Sequence, residues 1–128
     1  MTHNLHLPID ELTARSLRVG DVVSVSGTVF TARDVAHRRL LEAHAEGQRL
    51  PFDPAGLALY HCGPVVRPVN GGWCVLSAGP TTSARMEALE PRFLAAFHPR
   101  LVIGKGGMGE GTQAALAQDG AAYAHFPG

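Results

Sequence analysis

The sequence predicts an α/β domain, and three observations carry that prediction. Short apolar runs with strand periodicity alternate with longer runs of helical periodicity. Gly and Pro mark nearly every junction between them. The chain has 128 residues, 45% hydrophobic and 17% charged. That composition suits one compact domain over residues 1–128, burying about two-thirds of its unfolded surface.

The elements follow in order. Val22 to Ser26 alternates Val, Val, Ser, Val, Ser before Gly27, as a strand entering a turn does. Thr31 with Asp34 three residues on has the form of a capping box, and the helical run through Leu40, Leu41 and Ala45 stops at Gly47. Pro51 and Pro54 then break regular structure. Residues 57–62 and 73–78 are expected to be strands, pairing as a long hairpin across a loop that holds Pro64, Pro68, Asn70, Gly71 and Gly72. Thr81 and Thr82 offer a helix start, which Pro91 interrupts or restarts before Phe93 to Ala96. Residues 101–103 suit a buried strand, 104–111 form a glycine-rich loop, Thr112 can cap a helix to residue 118, and 121–125 can begin another strand. No internal repeat or low-complexity segment interrupts the pattern.

Charge and composition exclude several classes. Lys plus Arg and Asp plus Glu both number 11, so no basic excess supports binding to nucleic acid. The first ten residues lack a signal-peptide core and no stretch reaches membrane-spanning length, which points to the cytosol and to no membrane. Cys62 and Cys74, twelve residues apart, match neither a zinc pair nor a redox pair, and are expected as buried free thiols. Two thiolates cannot hold a four-iron cluster, so any cluster must come from elsewhere. His3, His6, His37, His44, His61, His98 and His125 show no metal-ligand spacing; they are expected on the surface or satisfied in the core, and no metal site is assigned.

Three strand ends lead into loops with a cation or hydroxyl: Thr31 and Arg33, then Thr81, Thr82, Ser83 and Arg85, then Lys105. Ligands of α/β folds collect at such ends. Arg grips a carboxylate with a planar fork, Lys offers a point charge, and helix-start amides add partial positive charge. Together they suit a small dianion. Each residue also has an ordinary explanation: Thr31, Thr81 and Thr82 as helix caps, Arg33, Arg85 and Lys105 as solvated surface charges. Thr13, Ala14 and Arg15 repeat the Thr-Ala-Arg order, but no strand is expected before them and they receive no role. Gly104, Gly106 and Gly109 satisfy G-x-G-x-x-G, yet twenty residues on there is no acid to hold a ribose, and Lys105 is not followed by Ser or Thr as in a P-loop.

Three ordered stretches go further: Ser26-Gly27-Thr28-Val29-Phe30-Thr31-Ala32-Arg33-Asp34-Val35-Ala36-His37, Ser77-Ala78-Gly79-Pro80-Thr81-Thr82-Ser83-Ala84-Arg85-Met86, and Ile103-Gly104-Lys105-Gly106. With Pro51-Phe52-Asp53 and Cys62-Gly63-Pro64, they resemble the beta subunit or C-terminal domain of the class I fumarase and L-tartrate dehydratase family, over roughly residues 17–128. The resemblance implies a swivelling β/β/α domain in a hetero-oligomer, with a separate alpha subunit holding a [4Fe-4S] cluster whose open iron acts as a Lewis acid.

It implies that Arg33, Arg85 and Lys105 hold the carboxylates of a C4 dicarboxylate and that Thr81 faces the carbon exchanging a proton. Fumarate–malate interconversion comes first and tartrate dehydration second; a non-catalytic anion-binding or scaffold relative without a cluster partner is the rival from another class. Two departures stand out. Glu87 follows Met86 where many relatives have aspartate, and the relatives continue for several elements past the glycine loop, so the domain is expected to be short at its C-terminus, at Gly128: naturally short, a fragment, or a domain that leans on a partner to cover exposed apolar surface.

Overall fold

The computed structural model describes residues 1–127, and its elements alternate in the α/β manner. Strand β1 (Thr2–His6) leads through helix α1 (Glu11–Arg15) to β2 (Val22–Ser26), and the two strands pair in parallel. There follow β3 (Val29–Thr31), α2 (Asp34–Ala45), β4 (Ala58–Tyr60), and a hairpin of β5 (Val65–Val69) and β6 (Gly72–Ser77). A single 3-10 turn (Ser83–Met86), α3 (Glu90–Phe97), β7 (Leu101–Gly104), α4 (Glu110–Asp119) and β8 (Ala122–His125) complete the described chain.

The central sheet has the order β3-β4-β7-β8, every pair parallel. Its strands are laid down in one direction, so right-handed crossovers place α2, α3 and α4 on the same face. Aromatic contacts fix that layer: Phe93 of α3 lies 4.7 Å from the His37 ring of α2 and 6.3 Å from Phe30 of β3, centroid to centroid. The opposite face meets β2, whose Val23 and Val25 line a cavity with Val29, Tyr60 and Ile103 of the sheet. The layers are therefore strand pair, sheet, helices. Ala58, Leu59, Leu101 and Val102 are fully buried, as central strands covered on both faces must be, and each large apolar side chain so buried contributes about 1.5–3 kcal/mol.

Several sequence expectations need correction. Residues 57–62 and 73–78 do not form a hairpin, because β4 is flanked on both sides by β3 and β7 and has no free edge for β6. The partner of β6 is β5, hidden in the sequence by Pro68, which a two-stranded ribbon tolerates. Thr31 caps nothing: it ends β3, and Arg33 occupies the N-cap of α2 without a side-chain bond. Thr82, not Thr81, stands at the N-cap of the 3-10 turn and makes no capping bond. Pro91 restarts the helix, at the first turn of α3. Thr112 lies inside α4, whose N-cap is Gly109. A strand does precede Thr13, Ala14 and Arg15, namely β1, although these residues sit within α1, capped by Asp10. Cys62 is buried, but Cys74 is only half-buried on the hairpin. Gly128 lies outside the described residues.

Candidate active site

The carboxyl ends of β3, β4 and β7 point the same way, because the strands are parallel, and each feeds a loop with distinctive chemistry. From β3 the chain passes through Ala32 to Arg33 and into α2. From β4 it passes through His61, Cys62 and Gly63, and from β7 to Lys105 and the glycine loop. The segment leaving the hairpin lies across these ends: Cys62 bridges to Pro80, the Thr81 amide donates to the His61 carbonyl at 2.8 Å, and the Ser83 amide donates to the Lys105 carbonyl at 3.0 Å. Three segments far apart in sequence are thus tied at one edge, beside the loop that leaves β3.

That edge holds an open cleft of about 630 Å³ lined by Arg33, the first turn of α2, Cys62, Gly63 and Arg85. Arg33 and Arg85 therefore face a common space, with the amides that begin α2 adding partial positive charge to it. Gly63 makes room: a Cβ there would stand 2.5 Å from Nε and 2.6 Å from Cζ of Arg33. Arg85 donates to Asp34 across the cleft at 3.4 Å, and this pair is exposed. Thr81 and Lys105 do not line the cleft; they lie next to it, joined through the Thr82–Lys105 bridge. Thr81 is half-buried, whereas Arg33, Arg85 and Lys105 are exposed. Burial pushes the Cys62 thiol up, with Arg33 pulling the other way, so Cys62 is a protonated wall of the cleft and no nucleophile.

Beneath this edge lies a group that sequence reasoning missed. His37, His61, Ser83 and Glu90 are all 0% exposed. The Glu90 carboxylate meets His37 Nε2 at 3.1 Å through one oxygen and hydrogen-bonds His61 Nε2 through the other. His37 Nδ1 lies 2.8 Å from the Arg33 carbonyl, and His61 Nδ1 lies 2.7 Å from Ser83 Oγ. Burial works to raise the Glu90 pKa, but the hydrogen bonds and charge of His37 and His61 outweigh it and hold the carboxyl below its ordinary value. The expectation of histidines satisfied in the core describes His37 and His61.

The glycine loop has no room for a nucleotide phosphate. Its helix-start amides already hold a carboxylate from the chain itself: Glu87 accepts from the amide of Gly109 at 2.7 Å and from the amide and hydroxyl of Thr112 at 3.1 and 2.7 Å. An internal anion occupies the place where a pyrophosphate would bind. Among the described residues, no helix is long and apolar enough to cross a membrane.

Known proteins share this chain's sequence along nearly its whole length. It is 42% identical over 123 residues to the L(+)-tartrate dehydratase subunit beta of Escherichia coli (strain K12), which covers 96% of this chain and 60% of that relative. It is 44% identical over 120 residues to a Geobacillus stearothermophilus protein with a provisional class I fumarate hydratase name, covering 93% of this chain and 22% of the relative. The chain thus spans less than two-thirds of these relatives. The sequence profile of the family described as Fumarase C-terminus matches residues 2–128, taking in β1 and α1 as well as the motif-bearing loops. The chain belongs to the Fumarase C-terminus family.

Proposed function

We propose that this chain is the beta-type part of a hydro-lyase that adds water to, or removes it from, a four-carbon dicarboxylate. The observation that carries the reading is the cleft shared by Arg33 and Arg85 at the carboxyl edge of the sheet, with Lys105 tied beside it. In this reading the two guanidinium forks and the Lys105 ammonium hold the two carboxylates. Thr81, anchored by its amide between the cleft and Lys105, presents a hydroxyl to the carbon that exchanges a proton. A threonine hydroxyl is a weak base, so its activation belongs to whatever covers the open side of the site.

Fumarate and malate are the first substrates proposed, in line with the name of the Geobacillus relative; the name of the E. coli relative favours tartrate as the second. A cluster-bearing alpha subunit is part of the proposal. The residues of this chain do not suit a [4Fe-4S] cluster, since Cys62 is buried in the cleft wall and Cys74 sits on the hairpin. The free thiols fit the cytosol as the proposed compartment.

The test is kinetic, in a complex with the alpha subunit, on fumarate, malate and tartrate in turn. Arg85→Lys keeps the charge and loses the fork, weakening substrate binding by about 1.5–3 kcal/mol per lost charged hydrogen bond and raising KM. Thr81→Val keeps the shape and lowers kcat by about 100-fold with little change in KM. A destabilised but fully active Thr81→Val refutes the role given to Thr81, and a wild-type complex inactive on all three acids refutes the reading as a whole.

A further inference from the structure

A buried carboxylate is costly unless its partners compensate for lost water. Glu90 is fully buried, outside the cleft, and unused by the chemistry above. Its connections show what it does in the fold. Through His37 it reaches the carbonyl of Arg33. Through His61 it reaches Ser83 Oγ, which accepts the amide hydrogen of Lys105 at 3.1 Å. Ser83 itself belongs to the turn that carries Arg85 and follows Thr81. The Tyr123 hydroxyl closes the far end, 3.0 Å from Ser83 Oγ and 2.6 Å from the Gly106 carbonyl. One carboxylate therefore ties together every loop that carries a candidate substrate residue.

Hydrogen counting sets the chemistry of this hub. The Arg33 carbonyl can only accept, so the hydrogen on that contact sits on His37 Nδ1. His37 Nε2 then faces a Glu90 oxygen, and that contact needs one proton between the two atoms. One nitrogen of each imidazole and a Glu90 oxygen also lie within 4.8 Å of one another, close enough to suggest a metal site. Both imidazoles are in direct hydrogen-bond contact with Glu90, an arrangement that spans the loops by hydrogen bonds alone, and metal content is therefore one of the outcomes to be measured.

We propose that Glu90 is a positioning residue, the hub that holds the loops of Arg33, Thr81–Arg85 and Lys105 in the single arrangement needed to grip a dicarboxylate. The dicarboxylate part rests on the function proposed above; the loop-holding part does not. Position and charge can be separated chemically. In Glu90→Gln, the amide NH2 can donate to His37 Nε2 while the amide oxygen accepts from His61 Nε2, so every contact survives without the extra proton. Glu90→Asp keeps the charge but is one methylene shorter and cannot reach both rings. A positioning role is rescued by Gln and not by Asp; a role for the charge gives the reverse order.

The first measurement is amide hydrogen exchange on the whole chain, which needs neither partner nor substrate. Glu90→Asp should speed exchange at the Lys105 and Ser83 amides by about ten-fold or more, with β1 and β2 unchanged and Glu90→Gln within about three-fold of wild type. Should Glu90→Asp fail to fold, Ser83→Ala, which removes the acceptor of the Lys105 amide, should speed exchange at Lys105 in the same way. The second measurement is KM for the dicarboxylate in the complex with the alpha subunit, expected to rise about ten-fold in Glu90→Asp or Ser83→Ala and to stay near wild type in Glu90→Gln. Gln as damaging as Asp, unchanged Lys105 exchange in Ser83→Ala, or one equivalent of tightly bound metal in the purified chain overturns the proposal. If the wild-type complex turns over no dicarboxylate, the functional reading fails while the exchange data still decide whether Glu90 holds the loops.

Discussion

Adding one methyl group at Gly104 should be strongly damaging. Gly104 ends β7 and is buried. A Cβ there would overlap the Ser83 hydroxyl and stand 2.9 Å from both His61 Nδ1 and Tyr123 OH. None of these neighbours can retreat freely. His61 is pinned by Glu90 on its other nitrogen, and Tyr123 is held by the Gly106 carbonyl. The strand cannot shift either, since Gly104 pairs with His125 and its carbonyl accepts from Phe126 at 2.8 Å. Ser83 could rotate away, but only by leaving His61 and the Lys105 amide without their partner. Overpacking costs about 1–3 kcal/mol and each buried group left unsatisfied about 1–3 kcal/mol more, so Gly104→Ala should lose about 3 kcal/mol or more. At about 3–5 °C per kcal/mol for a domain of this size, Tm should fall by about 10 °C or more. Gly106→Ala is the control: its φ is +77° with nothing within 4 Å of a new Cβ, so only backbone strain of about 1–2 kcal/mol applies. Urea and thermal unfolding of both variants measure the difference. A Gly104→Ala protein as stable as Gly106→Ala would refute the packing argument.

Two further outcomes are expected. Gly63→Ala should push the Arg33 guanidinium from its seat while changing stability by less than about 1 kcal/mol, because Arg33 is exposed and can swing into solvent. KM for the dicarboxylate in the complex with the alpha subunit should then rise about ten-fold, and an unchanged KM would show that Arg33 does not hold a carboxylate from this position. Glu87→Ala should cost about 1–2 kcal/mol by uncapping α4, read from urea midpoints at neutral pH. Burial works to raise the Glu87 pKa, but bonds from the Thr112 hydroxyl and the amides of Gly109, Thr112 and Gly111 outweigh it and hold the group below the ordinary 4.5. A depressed pKa means that the stabilisation is full above about 4.5 and is lost as pH falls through the lower folded value. Wild-type stability should therefore drop on that acid limb more steeply than that of Glu87→Gln, and equal slopes would count against the assignment.

The strands that bury one or two apolar faces were legible because their signal is local. Val22 to Ser26, residues 101–103 and residues 121–125 all form strands close to where their patterns place them. Partners were not legible, because pairing is a property of the sheet. Residues 57–62 are as consistent with a hairpin as with a central parallel strand until β3 and β7 are seen on either side. β1 was missed because its only buried residue is Leu5, with polar or exposed residues around it. Arg33, Thr81, Arg85 and Lys105 could be singled out because each follows a strand. The Glu90 hub could not. Its contacts span 53 residues to His37 and 29 to His61, no motif records such distances, and a Glu before a Pro at a helix start looks like an ordinary first-turn acid. The one local hint was Gly104, a glycine ending a strand whose missing side chain leaves space for Ser83, His61 and Tyr123.

The contrast between the two layers of the site bears on how the proposed enzyme would bind its substrate. Arg33, Arg85 and Lys105 are exposed, and Arg85 already leans on Asp34. Contacts made by exposed cations are worth about 0–1 kcal/mol each. Three of them stay below the 4.1 kcal/mol that corresponds to millimolar affinity. The open cleft is therefore a weak anion site by its own electrostatics. The same charges become strong when water is excluded, because their interaction grows as the local dielectric falls. Covering the cleft can supply that gain only if the cations are already aimed, since ordering long side chains and loops at the moment of binding would consume it. In the proposed arrangement the hub meets this requirement from below: the His37–Glu90–His61 group fixes the backbone from which Arg33, Arg85 and Lys105 project, while their charged ends stay open to whatever closes over them. A buried carboxylate bonded on both oxygens is thus suited to fixing one arrangement of loops.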